Sequence, residues 1–227
     1  PAMPFSFSLG GACGTQTATL AGGGDGNPPG LTGIFNGASW TATPTLGKNG
    51  YQGQLAGSTT AAVMAGLYYD SSAQEWNGSA WADPGAAMPT HVYASSAYGT
   101  ATAGAWIGGN TVSGGTKTSL FQKYNGTSWS TGTAMPGTGV PNSTGSGPAP
   151  AGDFWVFGSS SGSFLNNNTA QWDDSSWTSG PNMNTPRHWA ACGGTSRDNG
   201  FISGGTPITA VTEEFVAGAV TQTITTT

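Results

Sequence analysis

The chain has 227 residues, of which only 7% are charged, and ten Asp and Glu against five Lys and Arg give a formal net charge of −5. Binding to nucleic acid needs clustered cations that neutralise phosphates, so this balance predicts no nucleic acid as a partner. No apolar run approaches the roughly 18–20 residues of a membrane span, so we expect no membrane insertion. Gly contributes 39 residues, but nine Trp, nine Phe and six Tyr supply the buried area that a disordered chain lacks.

A six-residue pattern recurs along the whole chain. It consists of an aromatic residue, Asn-Gly, two small residues and Trp, and it occurs at 35–40, 76–81 and 124–129. A variant with Asp-Asp at its centre occupies 172–177, and a degenerate copy without the Trp occupies 215–220. The leading aromatic residues are separated by 41, 48, 48 and 43 residues. A period of about 40–50 residues is typical of propellers and solenoids.

Each copy of the pattern predicts a β-hairpin. Asn-Gly tolerates the positive φ angles of a type I′ turn, whose twist matches that of two antiparallel strands. The aromatic residue then ends one strand and the Trp lies near the start of the next. We therefore expect repeated hairpins with a large apolar side chain on either side of each turn.

Four strands are predicted in each repeat. The first is a run of small residues, which suits the crowded axis of a propeller, at 6–13, 52–57, 93–97, 142–147 and 189–193. The second is an apolar run that ends in Gly, at 18–23, 62–66, 105–109, 154–158 and 201–205. The third strand leads into the aromatic residue and the fourth starts near the Trp. The sequence thus predicts an all-β fold, a five-bladed β-propeller with four antiparallel strands per blade.

The five predicted blades form a single domain over residues 1–227. Their approximate bounds are 3–45, 46–87, 88–134, 135–182 and 183–227, and the alternation over 221–225 predicts the last outer strand. Each blade is complete within its own segment, so ring closure depends on packing between the first and last blades. Cys13 and Cys192 occupy equivalent places in those two blades. A disulfide between them and two separate small buried residues both fit these positions.

The repeats resemble a known family. Gly-Gly after the second strand, followed by the aromatic residue and the Trp, resembles kelch repeats, and the pattern aromatic-Asn-Gly-x-x-Trp is similar to kelch-like arrays in phage and environmental sequences. The resemblance implies a β-propeller but no particular function. Kelch arrays more often have six or seven blades, so a count of five is a departure. In blade number the chain is similar to five-bladed lectins of the tachylectin type, with no shared motif.

One face of the predicted propeller is the candidate functional face. The loops between the second and third strands share this face with the loops between blades, whereas the Asn-Gly turns lie on the opposite face. The loops of the first face vary between repeats, and such loops often carry function. Tyr68 and Tyr69 there form an aromatic pair beside a carboxylate. The ligand-binding candidates on this face are Asp25, Asn27, Tyr68, Tyr69, Asp70, His91, Asn110, Asn167, Arg187 and His188.

Two interpretations of these residues remain open. Aromatic faces beside Asn and Asp suit sugars, because C–H faces stack on rings while hydroxyl groups need fixed polar partners. The same Asn, Asp and Gly residues also fill ordinary turns. One interpretation directs His91, Arg187 and His188 into the axial channel. In the other, Arg187 resembles the Pro-Arg of kelch repeats at the start of a strand and binds loop carbonyls.

We expect no enzyme activity, with no catalytic residue, no cofactor and no metal site. Five-bladed glycosidases need two or three carboxylates that converge on the axis, and the predicted innermost strands carry none. The copper oxidases that resemble kelch arrays need Tyr, His and Cys ligands that this sequence does not supply as a set. The chain also lacks a phosphate-binding Gly-rich loop, a nucleophile elbow and metal-ligand spacing.

The sequence therefore favours a monomeric, non-catalytic binding module. Its predicted partner is a glycan or cell-surface receptor, in a lectin-like or phage adhesin role, and its predicted location is extracellular or on a virion. Two alternatives stay open: a structural scaffold without a ligand, engineered or environmental in origin, and a protein-binding kelch module.

Overall fold

The computed structural model describes residues 2–6, 8–26, 28–112, 114–136, 144–146, 154–161, 164–196, 199–216 and 222–224. Within these ranges the chain forms strands and turns and contains no helix. The prediction of an all-β fold is therefore confirmed over the described residues.

Most of the strands belong to five four-stranded sheets. Sheet 1 contains β1 (Gly10–Thr15), β2 (Ala18–Gly23), β3 (Thr32–Phe35) and β4 (Trp40–Thr43). Sheet 2 contains β5 (Gln54–Gly57), β6 (Ala62–Ala65), β7 (Gln74–Trp76) and β8 (Trp81–Ala82). The next segment begins with β9 (Val92–Tyr93), and sheet 3 contains β10 (Ser96–Thr100), β11 (Ala103–Ile107), β13 (Phe121–Tyr124) and β14 (Trp129–Thr131).

The last two four-stranded sheets follow the same plan. Sheet 4 contains β15 (Thr144–Ser146), β16 (Phe154–Ser161), β17 (Phe164–Trp172) and β18 (Trp177–Ser179). Sheet 5 contains β19 (Ala191–Ser196), β20 (Asn199–Ser203), β21 (Thr212–Val216) and β22 (Gln222–Ile224). A separate two-stranded sheet pairs β9 with β12 (Asn110–Thr111), which the sequence did not predict.

The sheets adopt a β-propeller arrangement. In each four-stranded sheet the strands hydrogen-bond in chain order and neighbouring strands are antiparallel, so no described strand is exchanged between these sheets. The innermost strands of successive sheets contact one another: β1 with β5, β5 with β10, β10 with β15, and β15 with β19. The repeated pattern therefore predicted both the four-stranded unit and its repetition.

The hairpin tips are not the type I′ turns that the sequence predicted. Phe35 pairs with Trp40 across a four-residue loop, and within that loop only Gly37 has a positive φ, of 90°. A type I′ turn needs positive φ at both central residues. Asn36 instead accepts hydrogen bonds through its side-chain oxygen from the N–H groups two and three residues ahead, at 3.0 and 2.8 Å. The tips of sheets 2, 3 and 4 repeat this arrangement.

The innermost strands begin later than predicted because a left-handed residue precedes each of four of them. These rim residues are Leu9, Gln52, Ala94 and Trp189, with φ angles of 57°, 59°, 52° and 53°. Left-handed backbone is unfavourable for residues with a side chain and needs support from the surrounding structure. That support is visible between sheets, because Gln52 N–H donates to the Leu9 carbonyl at 3.0 Å and Ala94 N–H donates to the Gln52 carbonyl at 3.3 Å.

The core lies between neighbouring sheets. Leu20 of sheet 1 belongs to one buried cluster with Met64 and Trp76 of sheet 2. The next cluster joins sheets 2 and 3, and a third joins sheets 3 and 4, where Phe121 contacts Trp172 with ring centroids 4.8 Å apart. Burial of aromatic side chains between sheets is the main force that holds such an array together.

Polar contacts also link successive sheets. The Tyr124 hydroxyl of sheet 3 donates to Glu75 of sheet 2 at 2.6 Å. The Lys123 ammonium of sheet 3 lies 4.9 Å from the centre of the Trp172 ring of sheet 4, a cation–π distance. Glu75 and Lys123 each stand directly before the repeated aromatic residue, so one sequence position makes the contact in both sheets.

Candidate ligand-binding face

Four tyrosine rings form a cluster on the face that carries the variable loops. This tyrosine cluster consists of Tyr51, Tyr68, Tyr69 and Tyr93. The Tyr68 centroid lies 4.8 Å from that of Tyr69, 4.6 Å from that of Tyr93 and 5.6 Å from that of Tyr51, in edge-to-face geometry each time. Tyr51 and Tyr69 are 6.1 Å apart. These are favourable aromatic contacts, and they give the face a firm apolar surface.

Two loops and one short strand position the cluster. Tyr68 N–H donates to the Tyr51 carbonyl at 2.9 Å, which joins the loop inside sheet 2 to the loop that enters it. Tyr93 is fixed by the pairing of β9 with β12. Burial raises the pKa of Tyr93, and the nearby Tyr68 and Tyr51 phenols add to the rise. Tyr69 is the exposed member, with 65% of its surface accessible, so a ligand can reach it.

Lys48 holds the end of the loop that carries the two adjacent tyrosines. Its ammonium lies 2.9 Å from the Asp70 carboxylate and 3.1 Å from the Asp83 carboxylate, and it donates to the Ser72 hydroxyl. Burial pushes the pKa of Asp70 up, but hydrogen bonds from Ser72 and the charge of Lys48 outweigh it and hold the pKa below its usual range. The Gly85 N–H and then Lys48 lower the pKa of Asp83. Asp70 is therefore an ion-pair anchor at this loop.

A cavity of about 610 Å³ lies where four innermost strands meet. It is lined by residues of sheets 1, 2, 3 and 5 and by all four rim residues. Most of the lining side chains are small, such as Gly10, Ala12, Ala97 and Ala191. We call it the axial cavity, because strands that are far apart in the chain converge on it.

Two large apolar side chains flank this cavity and remain exposed. Leu9 is 53% exposed and Trp189 is 63% exposed. The Trp189 ring lies against His188, with centroids 4.6 Å apart. His188 Nδ1 is buried without a hydrogen-bond partner among the described residues, and burial, followed by the charge of Lys117, lowers the pKa of this histidine. Both effects disfavour the charged form of His188, and its ring supports the indole.

The other predicted site residues are spread over several loops, and most of them form hydrogen bonds with neighbouring backbone groups. Asp25 is tied to Ser8, whose hydroxyl and N–H donate to it at 2.6 and 3.0 Å. Asn110 belongs to β12, and the Asn167 amide donates to the Met183 carbonyl at 3.0 Å. His91 donates through Nε2 to the Leu67 carbonyl at 2.8 Å, beside the cluster. Asn27 lies outside the described residues.

Arg187 is placed in the core of sheet 5 and not in the axial channel. Its side chain and that of Glu213 are both fully buried, and they form an ion pair. The guanidinium also donates to the carbonyls of Gly204 and Val211 at 3.2 and 2.7 Å. The structure thus corrects the axial interpretation, and Arg187 binds loop carbonyls, as the alternative interpretation held.

The sequence interpretation missed part of this face. Tyr51 and Tyr93 each stand one residue before a rim residue, so they occupy equivalent positions in successive repeats. An alignment of the repeats on that position would have grouped Tyr51 with Tyr93. No local signal marks Gln52 or Trp189 as left-handed, because the hydrogen bonds that support this conformation come from other sheets.

Several other predictions concern cysteines, metals and membranes. Cys13 and Cys192 are not joined by a disulfide. Burial raises the pKa of Cys13 to about 12. In the part of the chain that the structure describes, no three His, Cys, Asp or Glu side chains cluster so as to hold a metal ion. No helix there could span a membrane.

Comparisons with known proteins inform the fold alone. No protein-family model matches the chain, and no curated protein matches it. Among solved structures, that of YjhT superposes with a TM-score of 0.73 at 12% sequence identity, over 90% of this chain and 74% of that chain. A likeness at this identity supports a shared architecture and carries no ligand with it. The kelch and lectin resemblances therefore remain predictions from the sequence.

Proposed function

We propose that this protein is a non-catalytic binding module that takes a carbohydrate on its tyrosine cluster. The single observation that carries the proposal is the packing of four tyrosine rings into one surface with Tyr69 exposed on it. Sugar rings stack their C–H faces on such surfaces, and nearby polar groups fix the hydroxyls. The Tyr69 and Tyr68 hydroxyls and the Asp70 carboxylate supply polar groups of this kind.

We further propose that the five four-stranded sheets are the five blades of one closed ring. The chain of contacts from β1 through β5, β10 and β15 to β19 supports this count. Support also comes from the axial cavity, which residues of both sheet 1 and sheet 5 line. In this proposal the ring is a rigid support that presents the loops of one face, as propellers commonly do.

The biological setting that we propose is a kelch-like, lectin-like module outside the cell or on a virion, such as a phage adhesin, acting as a monomer. The low content of charged residues and the negative net charge suit binding to neutral glycans better than binding to nucleic acid. Catalysis is not part of this proposal, because Asp70, the carboxylate that directly follows Tyr69, is held in an ion pair by Lys48, which also binds Asp83.

A glycan array tests this proposal. The wild-type protein should bind a defined subset of glycans, and Tyr69→Ala and Tyr68→Ala should each weaken that binding by roughly tenfold or more, as expected when an aromatic contact is lost. Phe201→Ala serves as the matched control, because Phe201 is an exposed aromatic residue of sheet 5 outside the cluster. An array on which the folded protein binds nothing would favour the scaffold alternative.

A protein-binding role is the second candidate, and one observation favours it. Leu9, Val112, Trp189 and Ile208 are exposed apolar residues, and all belong to loops of the same face as the tyrosine cluster. Exposed apolar patches often mark protein interfaces. Capture of a specific protein by the wild type but not by Ile208→Asp, together with a silent glycan array, would support this candidate over the first.

A further inference from the structure

We propose that the axial cavity is a second ligand subsite, which takes an uncharged sugar unit. This second subsite extends the proposed carbohydrate site and depends on the proposed function. The cavity volume of about 610 Å³ falls in the range of known small-molecule sites, roughly 300–1,000 Å³. It therefore has room for a pyranose ring and part of a second one.

The main chain supplies hydrogen-bonding groups around this cavity. The innermost strands β1, β5, β10 and β19 each have a partner strand on one side only, and residues of all four line the cavity. An edge strand presents unpaired N–H and C=O groups along its free side. Because the lining side chains are mostly Gly, Ala and Ser, they leave these groups accessible. Hydroxyl groups, which both donate and accept, are the ligand groups that match such an edge.

Two amide side chains add fixed polar groups. Gln52 and Gln54 both line the cavity, one from the rim and one from β5. Each amide offers an acceptor oxygen and a donor nitrogen, the pairing that vicinal hydroxyl groups can satisfy. On another wall the Tyr98 ring is stacked on Phe154, with centroids 4.6 Å apart and planes within 5°. This packing makes that wall rigid.

The lining selects against ions. None of the described residues that line the cavity is charged. An ionic ligand would lose water contacts there without gaining a counter-charge, which is costly, whereas a neutral polyol would exchange water for main-chain and amide partners. The chemistry therefore points to neutral hexoses and N-acetylhexosamines, and away from uronic acids and amino sugars.

Trp189 provides a stacking surface at the rim. It is exposed although it is a large aromatic residue, and its backbone is left-handed, which is unfavourable for a side chain of this size. The contact with His188 orients its ring beside the cavity. An indole in this place can cover one face of a sugar ring that enters the cavity.

The axial cavity borders the tyrosine cluster. Tyr51 directly precedes Gln52, and Tyr93 directly precedes Ala94, and both following residues line the cavity. An oligosaccharide that stacks on Tyr69 and Tyr68 can therefore continue to the axis. The cluster would hold the chain of the glycan, and the cavity would hold its terminal neutral unit.

The experiment is a binding titration of the intact protein, followed by saturation-transfer NMR and tryptophan fluorescence. The probes are methyl glycosides of glucose, galactose, mannose and N-acetylglucosamine, with glucuronic acid and glucosamine as charged comparators. Trp189→Ala removes the stacking surface, and Ala191→Leu and Ala12→Leu fill the cavity from exposed positions that both line it. Phe201→Ala is the matched control, because Phe201 is an exposed aromatic residue of sheet 5 that does not line the cavity, and Tyr69→Ala reports on the tyrosine cluster.

We expect at least one neutral glycoside to bind, Trp189→Ala to weaken it by about tenfold, and both Leu variants to abolish it, with Phe201→Ala unchanged. Loss of binding in Tyr69→Ala but not in the three cavity variants would overturn the axial subsite and leave the proposed function intact. Equal binding of the charged comparators, or no binding of any neutral probe to the folded wild type, would also overturn it. Should one Leu variant fail to fold, as circular dichroism would report, the other and Trp189→Ala decide the result.

Discussion

Lys48 fixes the end of the loop that carries Tyr68 and Tyr69. Its ammonium joins Asp70, which follows Tyr69, to Asp83 at the outer strand of the same sheet. Because the side chains are partly exposed, each ion pair is worth only a fraction of its value in a dry interior. The network is therefore expected to order the loop more than it stabilises the whole protein.

Lys48→Met should lower the free energy of unfolding by about 1 kcal/mol or less and weaken glycan binding through disorder of the Tyr69 loop. The pKa values of Asp70 and Asp83 lie below their usual range in the folded state. Their contribution is thus complete at neutral pH and is lost as the pH falls through those folded-state values. Urea denaturation between pH 7 and pH 3 should show this loss in the wild type and a smaller one in Lys48→Met. An equal pH dependence in both proteins would show that Lys48 does not lower the pKa values of Asp70 and Asp83.

The buried pair of Arg187 and Glu213 offers a sharper residue-scale prediction. Glu213 accepts hydrogen bonds from the N–H groups of Asn184 and Thr185 at 2.6 and 3.2 Å. In sheet 3 the equivalent residue is Gln122, which accepts from the Thr90 N–H at 2.8 Å. The residue two positions before the repeated aromatic therefore accepts hydrogen bonds from the loop that enters the sheet, both in sheet 3 and in sheet 5. In sheet 5 this residue, Glu213, also forms an ion pair.

Arg187→Val alone should cost about 3–5 kcal/mol, because it leaves the Glu213 carboxylate buried without a counter-charge. The double variant Arg187→Val with Glu213→Gln copies Val92 and Gln122 of sheet 3 and should recover most of that loss. Urea denaturation of the single and double variants measures both values. A double variant that is no more stable than Arg187→Val would show that the charge of Glu213 is not what makes the single change costly.

The residues next to Tyr68 could be identified from the sequence, whereas the burial of Arg187 could not. The sequence predicts a sugar site at Tyr68, Tyr69 and Asp70 because two aromatic rings and a carboxylate, which suit a sugar, are adjacent in the chain. The burial of Arg187 could not be predicted, because its partner Glu213 lies 26 residues away and no local pattern marks the pair as buried.

The hairpin tips are the elements in which repeats can be compared directly. In sheets 1, 2 and 3 the residue with positive φ is Gly, whereas in sheet 4 it is Asp174, with φ of 74°. A residue with a side chain in this conformation is strained relative to Gly. Asp174 also approaches Lys123 at 3.9 Å, but this contact is exposed and adds little.

Asp174→Gly should therefore stabilise the protein by about 0.5–1 kcal/mol, and Gly37→Asp should destabilise it by about 1 kcal/mol. A Cβ atom at Gly37 would meet Thr17 at 3.4 Å, an ordinary contact, so the backbone term dominates. Thermal unfolding of the two variants gives the comparison. Shifts of the same sign would contradict the view that backbone conformation governs this position.

At the scale of elements, the sequence predicted the hairpins well and the innermost strands less well. The aromatic pattern marks the third and fourth strands because Phe35 pairs with Trp40, and Trp76 with Trp81, directly across the tip. The small-residue runs predicted innermost strands that start too early, because the rim residues interrupt the extended backbone. Contacts between sheets impose that interruption, and a local pattern cannot reveal it.

For the whole molecule, the proposed closed ring predicts cooperative unfolding. Buried clusters join sheet 1 to sheet 2, sheet 2 to sheet 3 and sheet 3 to sheet 4, so loss of one of these sheets exposes the aromatic residues of its neighbour. A closed ring extends this packing through sheet 5. Tryptophan fluorescence and far-UV circular dichroism should report the same transition temperature, both in the wild type and in Arg187→Val. Two separate transitions in Arg187→Val, with sheets 2 and 3 still folded after the first, would indicate an open array instead of a ring.

A crystal structure of the protein soaked with a neutral disaccharide selected by the array would show both the arrangement of the sheets and the place where the sugar binds. We expect five four-stranded sheets around one axis, with the sugar stacked on Tyr69 and Tyr68 and its end directed into the axial cavity. A sugar bound on the face of the Asn-Gly tips, or sheets stacked without a common axis, would contradict this expectation.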